Sequence, residues 1–96
     1  MKNLLLFVYG TMKSSQKNNF RLDNAEFLGS ASTKPKYDIE FVKDSPNITR
    51  GNSIVKGELY KVPLPVVREL DKFEKPYKRF EVELLDGRTA EAYWLM

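Results

Sequence analysis

The chain has 96 residues, of which 42% are hydrophobic and 30% charged, and its formal net charge is +3. That length allows one small domain, over residues 1–96, with a single core. Because the chain contains neither cysteine nor histidine, disulfides, thiol nucleophiles, imidazole bases and zinc sites of the Cys/His type are excluded, and any acid–base catalysis must use Asp, Glu, Lys or Tyr.

The first predicted element is a strand over residues 3–9, whose continuous apolar run is typical of a strand buried on both faces. This run ends abruptly at Tyr9-Gly10-Thr11. The polar segment from Gly10 to Asn24 is predicted to be a loop or a short helix. Further strands are predicted over residues 25–33 and 37–43, the second from its alternation of apolar and polar residues.

Residues 44–52, with the sequence DSPNITRGN, collect Asp, Ser, Pro, Asn and Gly and therefore predict a loop. Such a loop is long compared with the usual ~4–6 residues. It is either the end of a hairpin or a lid over a site, and the hairpin end is the preferred interpretation. The next strand is predicted over residues 53–62, where Gly57 indicates a bulge or a close approach of another group.

Residues 64–74 have the spacing of an amphipathic helix. Its apolar stripe consists of Val66, Val67, Leu70 and Phe73. Glu74 falls on the same stripe, and two interpretations remain open. The helix frays before Lys75-Pro76 and leaves Glu74 exposed, which the pattern alone favours. Otherwise Glu74 is a partly buried carboxylate with a raised pKa, suited to general acid–base catalysis.

Two final strands are predicted over residues 78–85 and 88–95, joined by a hairpin turn at Asp86-Gly87. Tyr93 and Trp94 alternate in direction along the last strand, so only one of them is expected to point inward. Many strands with one convincing helix predict an α+β fold that closes most easily into a small β-barrel.

Four segments carry a resemblance to a known family. They are Tyr9-Gly10-Thr11, FLGSASTKPKY over residues 27–37, VKGELYKV over residues 55–62 and LDKFEKPYKRFEVEL over residues 70–84. In this order they resemble the gamma-glutamylcyclotransferase-like (AIG2-like) family, of the gamma-glutamylaminecyclotransferase type. The resemblance implies a small mixed β-barrel with flanking helices. It also implies cyclisation of a gamma-glutamyl group to 5-oxoproline, with release of an amine.

The resemblance assigns the catalytic glutamate of the family to Glu74. It assigns the substrate-holding loop to Tyr9, Gly10, Thr11 and Met12, where Gly10 is expected to let a ligand approach the backbone closely. Tyr77 is expected to contribute to the substrate pocket. Arg79 is expected to organise structure, by pairing with Asp71 or Glu58.

Two positions depart from the family pattern. Met12 stands where leucine is usual, a change that nearly conserves volume. Lys75 stands where the family commonly has glycine after its glutamate. That lysine either flanks the site, changes the preference for substrate or lowers the pKa of Glu74.

The resemblance implies a small-molecule gamma-glutamyl substrate and neither a cofactor nor a metal. The basic residues are dispersed, so a nucleic-acid partner is not expected, and the chain lacks the ~20 apolar residues of a membrane span. A monomer in the cytoplasm is expected. The main alternative is a catalytically inactive binding or interaction module on the same fold. A polyanion-binding domain rests on net charge alone, and the leaving amine stays open.

Overall fold

The computed structural model of the chain describes residues 2–95. Over these residues it contains seven strands, one α-helix and one 3₁₀ helix. In chain order they are β1 (Asn3–Val8), the 3₁₀ helix (Asn19–Leu22), β2 (Glu26–Ser32), β3 (Tyr37–Val42), β4 (Ser45–Arg50), β5 (Lys56–Pro63), α1 (Leu64–Glu74), β6 (Lys78–Glu83) and β7 (Thr89–Trp94). No helix in residues 2–95 has both the length and the apolar character needed to cross a membrane.

Five strands form a mixed sheet in the order β2-β5-β1-β7-β6, while β3 and β4 form a separate hairpin. Neighbours in the sheet are antiparallel except β1 and β7, which run parallel where Leu6 pairs with Glu91. The sheet curls until its two edges meet at an isolated bridge between Thr33 and Leu84. The α+β class is therefore confirmed, with a barrel-like sheet that is not closed by a continuous ladder.

Side-chain alternation along β1 explains how both faces of the sheet are covered. Leu6 and Val8 belong to a cluster that includes Val67 and Leu70 of α1. Phe7 points the other way, into a cluster that includes Ile48 of the β3–β4 hairpin. Strand β1 is thus buried on both faces at its end, as its apolar run predicted.

The prediction of a loop over residues 44–52 is wrong. Lys43 and Asp44 form a tight turn, with φ of 50° and 66°, and β4 pairs with β3 from Val42↔Ser45 to Tyr37↔Arg50. Residues such as Asn47, which usually favour turns, are compatible with this strand because the fully buried side-chain amide of Asn47 forms its hydrogen bonds within the protein. It donates to the Leu95 carbonyl at 3.0 Å and accepts from the Leu95 N–H at 2.8 Å.

Tyr93 and Trp94 point to opposite faces of β7, as their alternation predicted, but both side chains are buried rather than one alone. Tyr93 is 3% and Trp94 1% exposed, because α1 covers one face of β7 and the β3–β4 hairpin covers the other. Two adjacent aromatic residues can therefore both be buried on opposite faces of one strand.

Glycine meets two different requirements in the sheet. A Cβ on Gly57 would lie 2.4 Å from the Val8 carbonyl oxygen and 2.7 Å from Phe7 Cζ, so this position confirms the predicted close approach. The β6–β7 hairpin forms at the predicted place, but its turn has three residues, Leu85 to Gly87, because β6 and β7 pair up to Glu83↔Thr89 and Leu84 N–H bonds the Arg88 carbonyl. Gly87 takes the left-handed conformation that such a turn requires, with φ of 93°.

Candidate active site

A cavity of about 110 Å³ opens where the ends of β1 and α1 meet the start of β4. All six residues that were predicted for the site line it. These residues are Tyr9, Gly10, Thr11, Met12, Glu74 and Tyr77. The sequence therefore predicted a set of residues, up to 68 positions apart, that the fold brings to one place.

Glu74 is the last residue of α1, and the helix does not fray before it. Lys75 follows with φ of −48° and ψ of 137°, so the chain leaves the helix only after the glutamate is placed. Glu74 is half-buried and lines the cavity. The interpretation of Glu74 as an exposed residue in a frayed turn is therefore wrong.

The electrostatic surroundings of Glu74 favour its protonated form. Burial raises the pKa of its carboxyl group above the usual value, and the positive charge of Arg21 opposes this only in part. In the part of the chain that the structure describes, no lysine or arginine forms a salt bridge with Glu74. A carboxyl group with a raised pKa can both accept a proton and return it.

Arg21 was not predicted, although it approaches this end of α1. Its guanidinium carbon lies 3.4 Å from the centre of the Phe73 ring, and Phe73 immediately precedes Glu74. Arg21 comes from the 3₁₀ helix, 53 positions before Glu74. No periodicity connects residues so far apart, so only the fold reveals this neighbour.

Asp71 has a contrasting role at the edge of the same helix. Arg79 donates to its two carboxylate oxygens at 2.8 and 3.1 Å, and the Tyr93 hydroxyl donates at 2.7 Å. Partial burial acts to raise the pKa of Asp71, but these hydrogen bonds outweigh it and leave the pKa below its usual value. Arg79 pairs with Asp71, as was predicted, and also with Glu91 at 2.8 Å rather than with Glu58.

The Tyr9 hydroxyl joins three strands below the cavity. It donates to the Tyr93 carbonyl at 2.5 Å and accepts from the Ile48 N–H at 3.1 Å. Burial is the main reason that the pKa of Tyr9 rises to about 12, so the hydroxyl stays protonated. The hydroxyl of Tyr9 is already bonded to two backbone groups of the protein. Tyr9 therefore contributes its ring and its main chain, and not its hydroxyl, to the lining of the cavity.

The segment Gly10–Met12 forms the rim of the cavity and is held from outside. Asn18 donates to the Thr11 hydroxyl at 2.9 Å, and Asn19 donates to the Met12 carbonyl at 2.8 Å. Within residues 2–95, no protein group accepts a hydrogen bond from the N–H of Gly10, Thr11 or Met12. Three adjacent main-chain donors are therefore available at the rim.

Close packing is a second reason for glycine at position 10, and the sequence did not indicate it. A Cβ there would lie 3.3 Å from Pro46 Cγ, tighter than most such contacts. Pro46 and Ser45 line the cavity from the start of β4. Both residues belong to the segment over residues 44–52 that was wrongly predicted to be a loop. The alternative interpretation of that segment as a lid was the only indication in the sequence that they line the site.

Tyr77 also lines the cavity. Its N–H donates to the Glu74 carbonyl at 2.8 Å, which ties it to the end of α1. Among the described residues its hydroxyl has no hydrogen-bonding partner, so it is available to a ligand. Phe7 and Val8, which were not predicted to line the site, complete the wall together with Tyr93. Of the two aromatic residues of β7, it is Tyr93 rather than Trp94 that faces the cavity.

Comparison with known proteins gives one matching family. The family described as "Gamma-glutamyl cyclotransferase, AIG2-like" matches residues 6–96. A Vibrio cholerae protein provisionally named a gamma-glutamylcyclotransferase is 34% identical over 92 residues, which cover 93% of this chain and 79% of that protein. Gamma-glutamylaminecyclotransferase A of Danio rerio is 33% identical, and the match covers 92% of this chain and 65% of the fish protein.

A solved structure shows the same fold. The AIG2-like protein of Mus musculus superimposes with a TM-score of 0.77 at 28% identity, covering 99% of this chain and 78% of the mouse chain. The agreement extends over the whole described sheet and helix.

Proposed function

The chain belongs to the gamma-glutamyl cyclotransferase, AIG2-like family, as its sequence segments predicted, and we propose that it converts a gamma-glutamyl amine or amino acid to 5-oxoproline with release of the free amine. The family is named for an enzyme activity, in agreement with the prediction that this chain is an enzyme. The relatives span different lengths, and this chain covers 79% of the Vibrio protein and 65% of the fish protein.

The reaction needs few groups from the protein. The α-amine of the substrate attacks its own γ-carbonyl carbon, so the new C–N bond forms within one molecule and closes the five-membered ring. The bond between that carbon and the leaving nitrogen then breaks. The α-ammonium nitrogen begins with three hydrogens and keeps one in the ring amide, so the protein must hold a bent substrate and move two protons from that nitrogen to the leaving amine.

Glu74 is the group that moves the protons. Its carboxylate accepts a proton from the α-ammonium group, which frees the amine to attack, and then gives that proton to the departing nitrogen. The regenerated carboxylate takes the second proton from the attacking nitrogen, which keeps one hydrogen as the ring amide, and passes it to the released amine, which leaves as an ammonium ion. The observation that carries this role is the position of Glu74. It is a half-buried carboxyl group with a raised pKa and no salt bridge within residues 2–95, and it faces the cavity that the rim Gly10–Met12 closes.

The N–H groups of Gly10, Thr11 and Met12, which have no acceptor among the described residues, bind a negatively charged group of the substrate. They suit either the α-carboxylate of the substrate or the oxyanion that develops on the γ-carbonyl oxygen during attack. Gly10 keeps this part of the backbone open to a ligand. The Tyr77 hydroxyl is the further polar group with a free donor in the wall of the cavity.

The decisive experiment incubates the protein with gamma-glutamyl amines and amino acids and detects 5-oxoproline by mass spectrometry. We expect product with the wild type and a loss of about 10²–10⁴-fold with Glu74→Gln, the usual range for a general acid–base group. Glu69→Gln is the matched control, because Glu69 lies on the exposed face of the same helix. It should retain full activity.

Equal turnover by Glu74→Gln and the wild type would rule out this mechanism. Saturable binding of a gamma-glutamyl compound without any product would instead support the inactive binding module. The predictions of a monomer, a cytoplasmic location, no cofactor and no nucleic-acid partner stay predictions.

A further inference from the structure

A second, wider groove adjoins the cavity of Glu74. It has a volume of about 820 Å³ and is open to solvent. Tyr77 lines both spaces, and Lys75 of the groove directly follows Glu74 of the cavity. The two spaces therefore share one wall residue and lie next to each other at the end of α1.

Three of the charged side chains that line the groove form salt bridges with one another. Arg79 lies between Asp71 and Glu91, with N–O distances of 2.8 Å to each. The Tyr93 hydroxyl also donates to Asp71. These carboxylates are therefore occupied by donors of the protein, which reduces what they offer to a cationic ligand.

The groove is also lined by two lysines that have no such partner. Lys75 and Lys78 are both exposed, and within residues 2–95 neither forms a salt bridge. Among all the lining residues, three side chains are positive and two are negative, so the net charge of the groove is +1. The charge that has no salt-bridge partner among the described residues is positive.

We propose that this groove holds the leaving amine, and that Lys75 and Lys78 select amines that carry a carboxylate. The inference rests on the proposed function and makes it more specific. The substrate class is then a gamma-glutamyl amino acid with a free carboxylate, rather than a gamma-glutamyl polyamine. An ammonium group on the leaving amine would be repelled by the two lysines, whereas a carboxylate forms charge-assisted hydrogen bonds with them.

The test uses two compounds that differ only in charge, gamma-glutamyl-alanine and gamma-glutamyl-alaninamide. For the wild type we expect kcat/KM to be up to about tenfold higher for the carboxylate, the sum of two exposed ion pairs. This preference should decrease as ionic strength rises. The double variant Lys75→Met/Lys78→Met should reduce the ratio of the two kcat/KM values to about one.

The matched control is Lys56→Met/Lys61→Met, which removes the same charge from two exposed lysines that line neither space. It should keep the wild-type ratio and rates. A wild type without preference, or a Lys75→Met/Lys78→Met variant that retains the preference, would overturn the proposal.

Binding separates this proposal from the proposed function. Dissociation constants of both compounds are measured by calorimetry for Glu74→Gln, with and without the two lysine substitutions. If no 5-oxoproline forms, the proposed function fails, and the ratio of dissociation constants alone decides for or against the lysines. Absence of binding by both compounds would overturn the proposal as well.

Discussion

Asp71 and Glu74 lie one helical turn apart on α1, yet their carboxyl groups are in opposite situations. Asp71 accepts hydrogen bonds from Arg79 and Tyr93, which keep its pKa below the usual value. Glu74 is more deeply buried and unpaired within residues 2–95, and its pKa is raised. The charged carboxylate of Asp71 thus stabilises the fold through its hydrogen bonds, whereas the burial of Glu74 disfavours the charged form of its carboxyl group.

The burial of Glu74 should reduce stability at neutral pH. Because its folded pKa is raised, the folded state binds the proton more tightly than the unfolded state does. Stability therefore falls as pH rises from 4.5, the usual pKa of a glutamate side chain, through the raised pKa of the folded state. We expect Glu74→Gln to be more stable than the wild type at pH 7, by about 0.5–1 kcal/mol, and the difference to shrink toward pH 4. Urea unfolding at both pH values measures this.

Glu69→Gln serves as the control for that measurement, because its side chain is 75% exposed. It should change stability little at either pH. A Glu74→Gln variant that is less stable than the wild type at pH 7 would contradict the electrostatic description of the site.

Arg21 should influence the acidic limb of the profile of kcat/KM against pH, because its positive charge lowers the pKa of Glu74. Glu74 must be ionised to accept the proton from the substrate, so kcat/KM should fall as pH drops through its pKa. Arg21→Met removes the positive charge but keeps an apolar side chain over Phe73. The pKa of Glu74 should then rise further, and the acidic limb should move to higher pH, measured as kcat/KM for 5-oxoproline formation against pH.

The control is Arg68→Met, since Arg68 is exposed on α1 and lines neither the cavity nor the groove. Its profile should match that of the wild type. An acidic limb that does not move in Arg21→Met would show that this arginine has no influence on Glu74.

Tyr9→Phe should destabilise the protein through its lost hydroxyl. That hydroxyl bonds the Tyr93 carbonyl and the Ile48 N–H, and both would be left without this partner. We expect a loss of about 1–3 kcal/mol in the free energy of unfolding. Hydrogen exchange at the Ile48 amide should accelerate more than exchange in β6.

Tyr77→Phe gives the matched comparison, because the Tyr77 hydroxyl has no partner within residues 2–95. Its free energy of unfolding should equal that of the wild type within about 0.5 kcal/mol. If both substitutions lowered the free energy of unfolding equally, the two hydrogen bonds of the Tyr9 hydroxyl would contribute no more to stability than the unpaired hydroxyl of Tyr77 does.

The helix and its glutamate could be predicted because local periodicity determines them. Val67 and Leu70 are 1% and 2% exposed, so the apolar stripe points inward and takes Glu74 with it. Pattern alone could not decide whether the helix persists to Glu74. That depends on the packing of α1 against β1 and β5.

Strand β4 could not be predicted because its polar residues are satisfied by distant partners. Asn47 bonds Leu95, 48 positions away, and the sequence contains no trace of that pairing. The same limit hid Ser45 and Pro46 from the predicted site. Where a polar residue is buried by tertiary hydrogen bonds, local chemistry indicates a loop.

The parallel pairing of β1 with β7 has a consequence for the order in which the protein folds. Strand β1, which precedes the other described strands in the chain, occupies the centre of the sheet, and one of its two neighbours is β7, which follows all of them. The cavity contains residues 7 and 93, so neither folding nor ligand binding can be completed until β7 has left the ribosome. Contacts over so long a separation slow folding. Until β7 arrives, one edge of β1 is unpaired, and the nascent chain exposes an apolar strand to aggregation.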